Sequence, residues 1–361
     1  MPSLSDTIAH LAALRGLPGG AAFGSADRLS DMRDFGSNPG ALRARIYIPT
    51  GLEAGAALVV VLHGCTQNAA AYDAGSGWSQ LADRHGFALL FPEQTRANNP
   101  NLCFNWFQPE DVKRDAGEAL SIRQMVAAVL GRHPIDPKRV FVTGLSAGGA
   151  MTSVMLATYP EVFAGGAIIA GLPYGSATSM PQAFDRMRGQ GSPDGPALAR
   201  LVRAASDHDG PWPTISVWHG SADHTVSRAN ADAIVAQWRP LHGLDRDPTW
   251  QETIDGYPHR VWCDAGGRAL IEDYQITGLA HGTPLATGGG DAVGEAGPHM
   301  LEAGISSTRH IAAFWGLTDA FAGETAPPPD TPPPFETAAQ THATGVTKVI
   351  ETALRAAGLM R

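Results

Sequence analysis

The stretch RVFVTGLSAGGAM, Arg139 to Met151, constrains this chain more than any other. An apolar, β-rich run passes through Gly144-Leu145-Ser146-Ala147-Gly148 directly into a helical pattern with Ala147, Ala150, Met151, Val154 and Met155 on one face. A G-x-S-x-G pattern in that strand-turn-helix setting holds its serine on a turn too sharp for Cβ atoms at the flanking positions, hence the glycines. The strain leaves the hydroxyl exposed above the end of the strand, and the helix start offers the Ala147 amide and a favourable dipole to any anion forming there. Ser146 is therefore the candidate nucleophile. The bare pattern also arises by chance in glycine-rich turns, so its weight comes from the two flanks.

From about Ala41 to Ile276, short β-rich runs alternate with longer helical patterns. The expected strands are Ala41 to Ile48, Leu58 to Leu62, Phe87 to Phe91, Arg139 to Thr143, Ala167 to Ile169, Thr214 to Trp218 and Leu270 to Ile276. The central ones are continuously apolar, as strands buried on both faces must be. Ala119, Ile122, Val126, Val129 and Leu130 share one face of an amphipathic helix. The expected class is α/β, with a mostly parallel central sheet and helices on both faces; with the serine turn it is an α/β-hydrolase fold.

That fold places the orienting acid and then the base after the nucleophile in sequence. Asp223 follows the run Ile215 to His219 and would sit just past the carboxyl end of a late strand, where turn chemistry alone also favours Asp. Asp207, Asp209 and Asp232 follow no strand directly. His281 lies in the small-residue loop after the last expected strand and can reach Ser146 from above the sheet; His299 and His310 compete for the role. His63 precedes the nucleophile and is read as a brace for its loop. The backbone amide of Cys65, after the strand ending Leu62-His63-Gly64, is the natural partner of the Ala147 amide in an oxyanion hole. GGGDAVGEAG, starting at Gly288, follows no strand and reads as a mobile loop rather than a phosphate cradle.

Composition narrows the function classes. The net charge of −9, from 35 acidic and 26 basic residues, has no Lys/Arg cluster to attract phosphates, so nucleic acid is not an expected partner. No apolar run approaches the roughly 20 residues of a membrane span. No secretory signal is visible in the first residues, so a cytoplasmic location is expected; Leu4, Ile8 and Leu11 suggest a short amphipathic helix instead. Three cysteines, Cys65, Cys103 and Cys263, are too few for a disulfide scaffold. The expected organisation is an N-terminal helix and lead-in (1–40), a catalytic domain (41–324), a Pro-rich linker (325–343) and a C-terminal amphipathic helix (344–361). In that last segment Val346, Val349, Ile350, Ala353, Leu354 and Ala357 form one face, which would dock on the body, on a second copy or on a hydrophobic granule.

With these residues in place, the chain resembles the polyhydroxybutyrate depolymerase family of esterases and its feruloyl and acetylxylan esterase relatives, from about Arg43 to Leu317. The resemblance rests on HGCTQN, NLCFNWF, GLSAGGAM, YPEVFAGGAIIAGLPYG, WHGSADHTV and GLAHGTPL, in that order. It implies a serine esterase acting on hydroxyalkanoate-type esters through Ser146, Asp223 and His281, with oxyanion amides on Cys65 and Ala147. It also implies that Cys65 and Cys103 lie close together, that Trp106, and more weakly Trp78, lines the substrate pocket, and that no metal or organic cofactor takes part. A feruloyl or acetylxylan-type carbohydrate esterase is the alternative within enzymes. The alternative of another class is a non-catalytic protein that binds a granule.

Overall fold

The computed structural model describes residues 27–318. The helix expected near Leu4, the Pro-rich linker and the C-terminal amphipathic helix lie outside the described residues.

Strand β3 (Ala56–Leu62) shows why the sheet forms where it does. Its sequence AALVVVL is buried throughout, with Leu58, Val60 and Leu62 facing one core and Val59 and Val61 the other. Each such side chain contributes roughly 1.5–3 kcal/mol by leaving water, and a strand with no polar face has nowhere to sit except inside a sheet covered on both sides. Parallel pairing joins β3 to β4 (Ala88–Glu93) and to β5 (Ile135–Leu145), then continues through β6 (Gly165–Ile169), β7 (Thr214–Gly220) and β10 (Ala269–Ile276). All seven strands expected from the sequence are present, the seventh being β2 (Arg43–Tyr47), antiparallel to β4.

The sheet extends further than expected at both edges. β1 (Ser30–Met32) adds to β2, while β9 (Tyr257–Cys263) and β8 (Trp250–Ile254) form an antiparallel hairpin beyond β10. The ten-stranded order is β1-β2-β4-β3-β5-β6-β7-β10-β9-β8. A separate two-stranded sheet pairs β11 (Thr283–Leu285) with β12 (Met300–Glu302).

One face is covered by α3 (Gly117–Arg132), α4 (Ala147–Thr158), α6 (Gly195–Arg203) and α7 (Ala229–His242), with α5 (Met180–Met187) between α4 and α6 in sequence. The other is covered by α1 (Ala69–Ser76), α2 (Trp78–His85) and α8 (Ser307–Phe314). α3 buries the face read from the sequence, including Ala119, Ile122, Val126 and Val129. α4 departs from expectation: all twelve of its residues are buried, so it is a core helix and not an amphipathic one. Gly148 and Gly149 at its start, and Thr152, Ser153 and Thr158 later, let it pack inside; the hydroxyls satisfy themselves on backbone carbonyls of the preceding turn or of Leu172. Among the described residues, no helix is long and apolar enough to cross a membrane.

Candidate active site

The serine turn is locked by its surroundings. Ser146 adopts φ 57° and ψ −115°, a conformation a non-glycine residue holds only when its neighbours enforce it. Its N–H donates to the Ile169 carbonyl at 2.9 Å and its carbonyl accepts from Ala150 N–H at 2.8 Å. A Cβ on Gly144 would lie 2.5 Å from the backbone of Gly148 and 2.7 Å from the Leu62 oxygen, so the turn closes only with glycine there. The Ala147 amide, first in α4, has no intrahelical acceptor.

Beside it, the loop after β3 is held by polar contacts that leave one amide free. Gly64 N–H donates to Gln67 Oε1 and Thr66 N–H to the Asn101 carbonyl, each at 2.8 Å. Between them the Cys65 N–H has no acceptor among the described residues. His63 braces this loop: Nδ1–H donates to the Gly64 carbonyl at 2.8 Å and Nε2 accepts from Gln94 N–H at 3.1 Å. Its burial, outweighing the Gly64 bond, holds its pKa below the usual imidazole value, so the ring stays neutral. Cys65 is disulfide-bonded to Cys103, while Cys263 is free.

The candidate acid and the candidate base meet. Asp223, past the end of β7, receives the His281 Nδ1–H on Oδ2 at 2.7 Å and the amides of Thr225 and Val226 on Oδ1, each at 2.8 Å. Burial opposes its charge, but the nearby His219 imidazole and the hydrogen bonds from His281 and Val226 win and hold the carboxyl well below the usual range. A carboxylate in that position fixes the His281 ring with Nε2 unprotonated, the state a general base needs. The Asp223–His281 contact is therefore closed, while Ser146 Oγ makes no hydrogen bond with the described residues and its contact with His281 is open. Such contacts commonly tighten only when substrate binds.

His219 was not singled out from the sequence, yet it is buried against the acid. Its Nε2–H donates to the Val226 carbonyl at 2.8 Å and lies 3.4 Å from Asp223 Oδ2. The only linear signal was its position, one residue before the glycine that ends β7. His299 and His310 take other roles. His299 Nδ1 lies 3.1 Å from the His281 carbonyl, and His310, on α8, pairs with Asp255 at 3.0 Å.

The two tryptophans separate. Trp106 is 8% exposed in a small apolar cluster with Ala147, Ala150, Leu172, Ala183 and Val226, bordered by the disulfide. It sits edge-on to Phe107, with centroids 5.2 Å apart and planes at 81°. Trp78 does not line the site. It is 1% exposed, stacked on Trp315 and edge-on to Phe87 in the core of the opposite face, because the Gly77 turn that starts α2 directs it inward.

The family profile described as Esterase PHB depolymerase matches residues 42–250. The chain belongs to the esterase PHB depolymerase family. Within it, this PHB depolymerase family member is 49% identical to poly(3-hydroxyalkanoate) depolymerase C of Paucimonas lemoignei over 291 residues, 80% of this chain and 70% of that one. It is 31% identical to feruloyl esterase B of Talaromyces funiculosus over 265 residues, 71% of this chain and 73% of that one. Among solved structures, the acetyl xylan esterase from Aspergillus awamori superposes with a TM-score of 0.68 at 25% identity, covering 80% of this chain and 99% of that one.

Proposed function

We propose that this esterase cleaves hydroxyalkanoate-type esters, as oligomers or amorphous polyester, through Ser146, His281 and Asp223. The observation that carries the reading is the 2.7 Å Asp223–His281 hydrogen bond, formed at the same sheet edge as the strained Ser146 turn. His281 Nε2 takes the Ser146 proton as Oγ attacks the ester carbonyl, and the Cys65 and Ala147 amides receive the oxyanion. His281 then returns the proton to the departing alcohol. Water, activated by the same imidazole, releases the acyl group. Asp223 stays ionised throughout and stabilises the imidazolium.

One observation supports the polyester assignment, the 49% identity to the Paucimonas depolymerase. An acetylxylan esterase is the second reading, favoured by the similarity to the Aspergillus awamori structure. Hydrolysis of p-nitrophenyl butyrate by wild type and Ser146→Ala tests the chemistry. The variant should lose on the order of 10⁶ in kcat; equal rates would end the esterase mechanism. Hydroxybutyrate trimer compared with acetylated xylan tests the substrate, and faster release of acetate would replace the polyester reading with the second one.

A further inference from the structure

We propose that His299 is a positioning residue for the catalytic base, gripping the backbone of the His281 loop without touching substrate. The inference rests on the assignment of His281 as base. Three contacts carry it. His299 Nδ1 lies 3.1 Å from the carbonyl oxygen of His281 itself, and because a carbonyl only accepts, that nitrogen bears the proton and donates. The carbonyl of His299 accepts from Thr283 N–H at 2.8 Å. His299 therefore holds the chain on both sides of Gly282, with its side chain on one side and its backbone on the other. At Gly282 the approach is so close that a Cβ would lie 2.8 Å from the His299 oxygen and 2.8 Å from the Leu301 side chain. The two imidazoles stand edge to face, with centroids 5.8 Å apart and planes at 77°.

The backbone of His299 is itself unusual. Its φ of 61° lies in the left-handed region, uncommon for residues other than glycine, although histidine enters it more often than most. A non-glycine residue held there shows that its surroundings fix this backbone, and replacement by glycine separates the backbone conformation from the side-chain contact. The strain also has a support, because the next residue, Met300, pairs with Thr283 at the start of the β11–β12 ladder. That small sheet is the platform from which His299 reaches the base.

Two independent restraints thus converge on one residue. Asp223 fixes the ring of His281 through Nδ1, and His299 fixes its peptide through the carbonyl. The ring alone can swivel correctly about a misplaced backbone and still miss Ser146 Oγ, so both are needed for a proton transfer that tolerates only a few tenths of an ångström. A base displaced by about 1 Å can cost 10²-fold in rate.

The test uses His299→Asn, His299→Ala and His299→Gly in the full chain, with kcat and KM for p-nitrophenyl butyrate and a melting curve for each. Asn tolerates the left-handed backbone and carries a donor amide; Gly relieves the backbone but has no donor; Ala has neither advantage. The expected result is a kcat within threefold of wild type for Asn and a fall of about tenfold or more for Ala and Gly, with KM within twofold in all three. Wild-type kcat in the Gly variant would overturn the proposal. So would an Asn variant as slow as Ala, or a change confined to KM, which would make His299 a substrate contact. His281→Ala separates the two levels: if it retains wild-type activity, the base assignment fails, whereas an inactive His281→Ala beside unaltered His299 variants defeats only the positioning role.

Discussion

Opening the Cys65–Cys103 bridge should weaken both the fold and the chemistry, by different amounts. The two cysteines are 38 positions apart. A loop of that size restricts the unfolded chain by about 13 cal/mol/K, so the bond is worth about 4 kcal/mol at 25 °C on the loop-entropy account. The kinetic effect is smaller than the loss of a whole oxyanion donor, about 2.7–4 kcal/mol, because other ties remain on the loop. Gly64 is still held by Gln67, Thr66 by the Asn101 carbonyl, and His63 by Gly64 and Gln94. Cys103→Ser leaves the Cys65 amide in place but frees the residue to drift. A fall in kcat of about tenfold, one-third to one-half of the full donor loss in free energy, is the expected outcome. Urea unfolding followed by tryptophan fluorescence reads the first number, and steady-state hydrolysis of p-nitrophenyl butyrate reads the second. Dithiothreitol on the wild type should reproduce both. An unchanged unfolding midpoint would refute the entropic argument, and an unchanged kcat would show that the bridge does not set the position of the oxyanion amide.

Three further outcomes follow from buried charges. Asp223→Asn should lower kcat about 10⁴-fold, because the amide favours the wrong imidazole tautomer. Since the folded carboxyl titrates below its unfolded value, the stability it adds is present above about pH 4 and lost as pH falls further; the Asn variant should show a shallower acid limb in urea midpoints. Glu118 runs the other way. Burial, against hydrogen bonds from Asn105, Gln94 and Asn98, pushes it up to about 8. Folding therefore binds a proton, and stability declines as pH rises from about 4.5 toward 8; unfolding midpoints of Glu118→Gln should vary less across that window, and an equal slope would contradict the shift. Finally, the fully buried Asp273 receives Arg228 at 2.9 Å and Arg260 at 2.6 Å. Asp273→Ala should cost about 3 kcal/mol in urea unfolding, the low end for a broken buried pair because Arg260 keeps Asp232; a loss under about 1 kcal/mol would mean that solvent already screens it.

What could be read from the sequence follows the physics of each element. β3 and the Ala88–Phe91 part of β4 announce themselves because burial on both faces leaves an unbroken apolar run. The β8–β9 hairpin does not: four of the five residues of β8 are exposed and the fifth is half-buried, so its residues alternate with no clear apolar face. A local signal was nevertheless present, since Asp255-Gly256 at the turn take φ values of 49° and 84°, the geometry that an Asp-Gly pair serves. β1, β11 and β12, at three residues each, are too short for periodicity to register. In the site, the turn around Ser146 was legible because its chemistry is local. The contacts of His219, Glu118 and His299 were not, because they depend on which loops the sheet order brings together. Trp78 and Trp106 illustrate the same limit: neither stands in an unbroken apolar run of the sequence, and only packing sends one to the core and the other beside Ala147.

The order of the strands has a last consequence. Asp223 and His281 are 58 residues apart, yet the strands that carry them are direct neighbours, with Gly220 opposite Ile276. Everything between, α7 and the β8–β9 hairpin, is an excursion that leaves from β7 and returns beside it. Descendants of this chain can lengthen, shorten or replace that excursion at the outer edge of the sheet while the spacing between acid and base is preserved by ladder hydrogen bonds. New surface for gripping a different ester can thus be acquired there while Asp223 and His281 keep their contact.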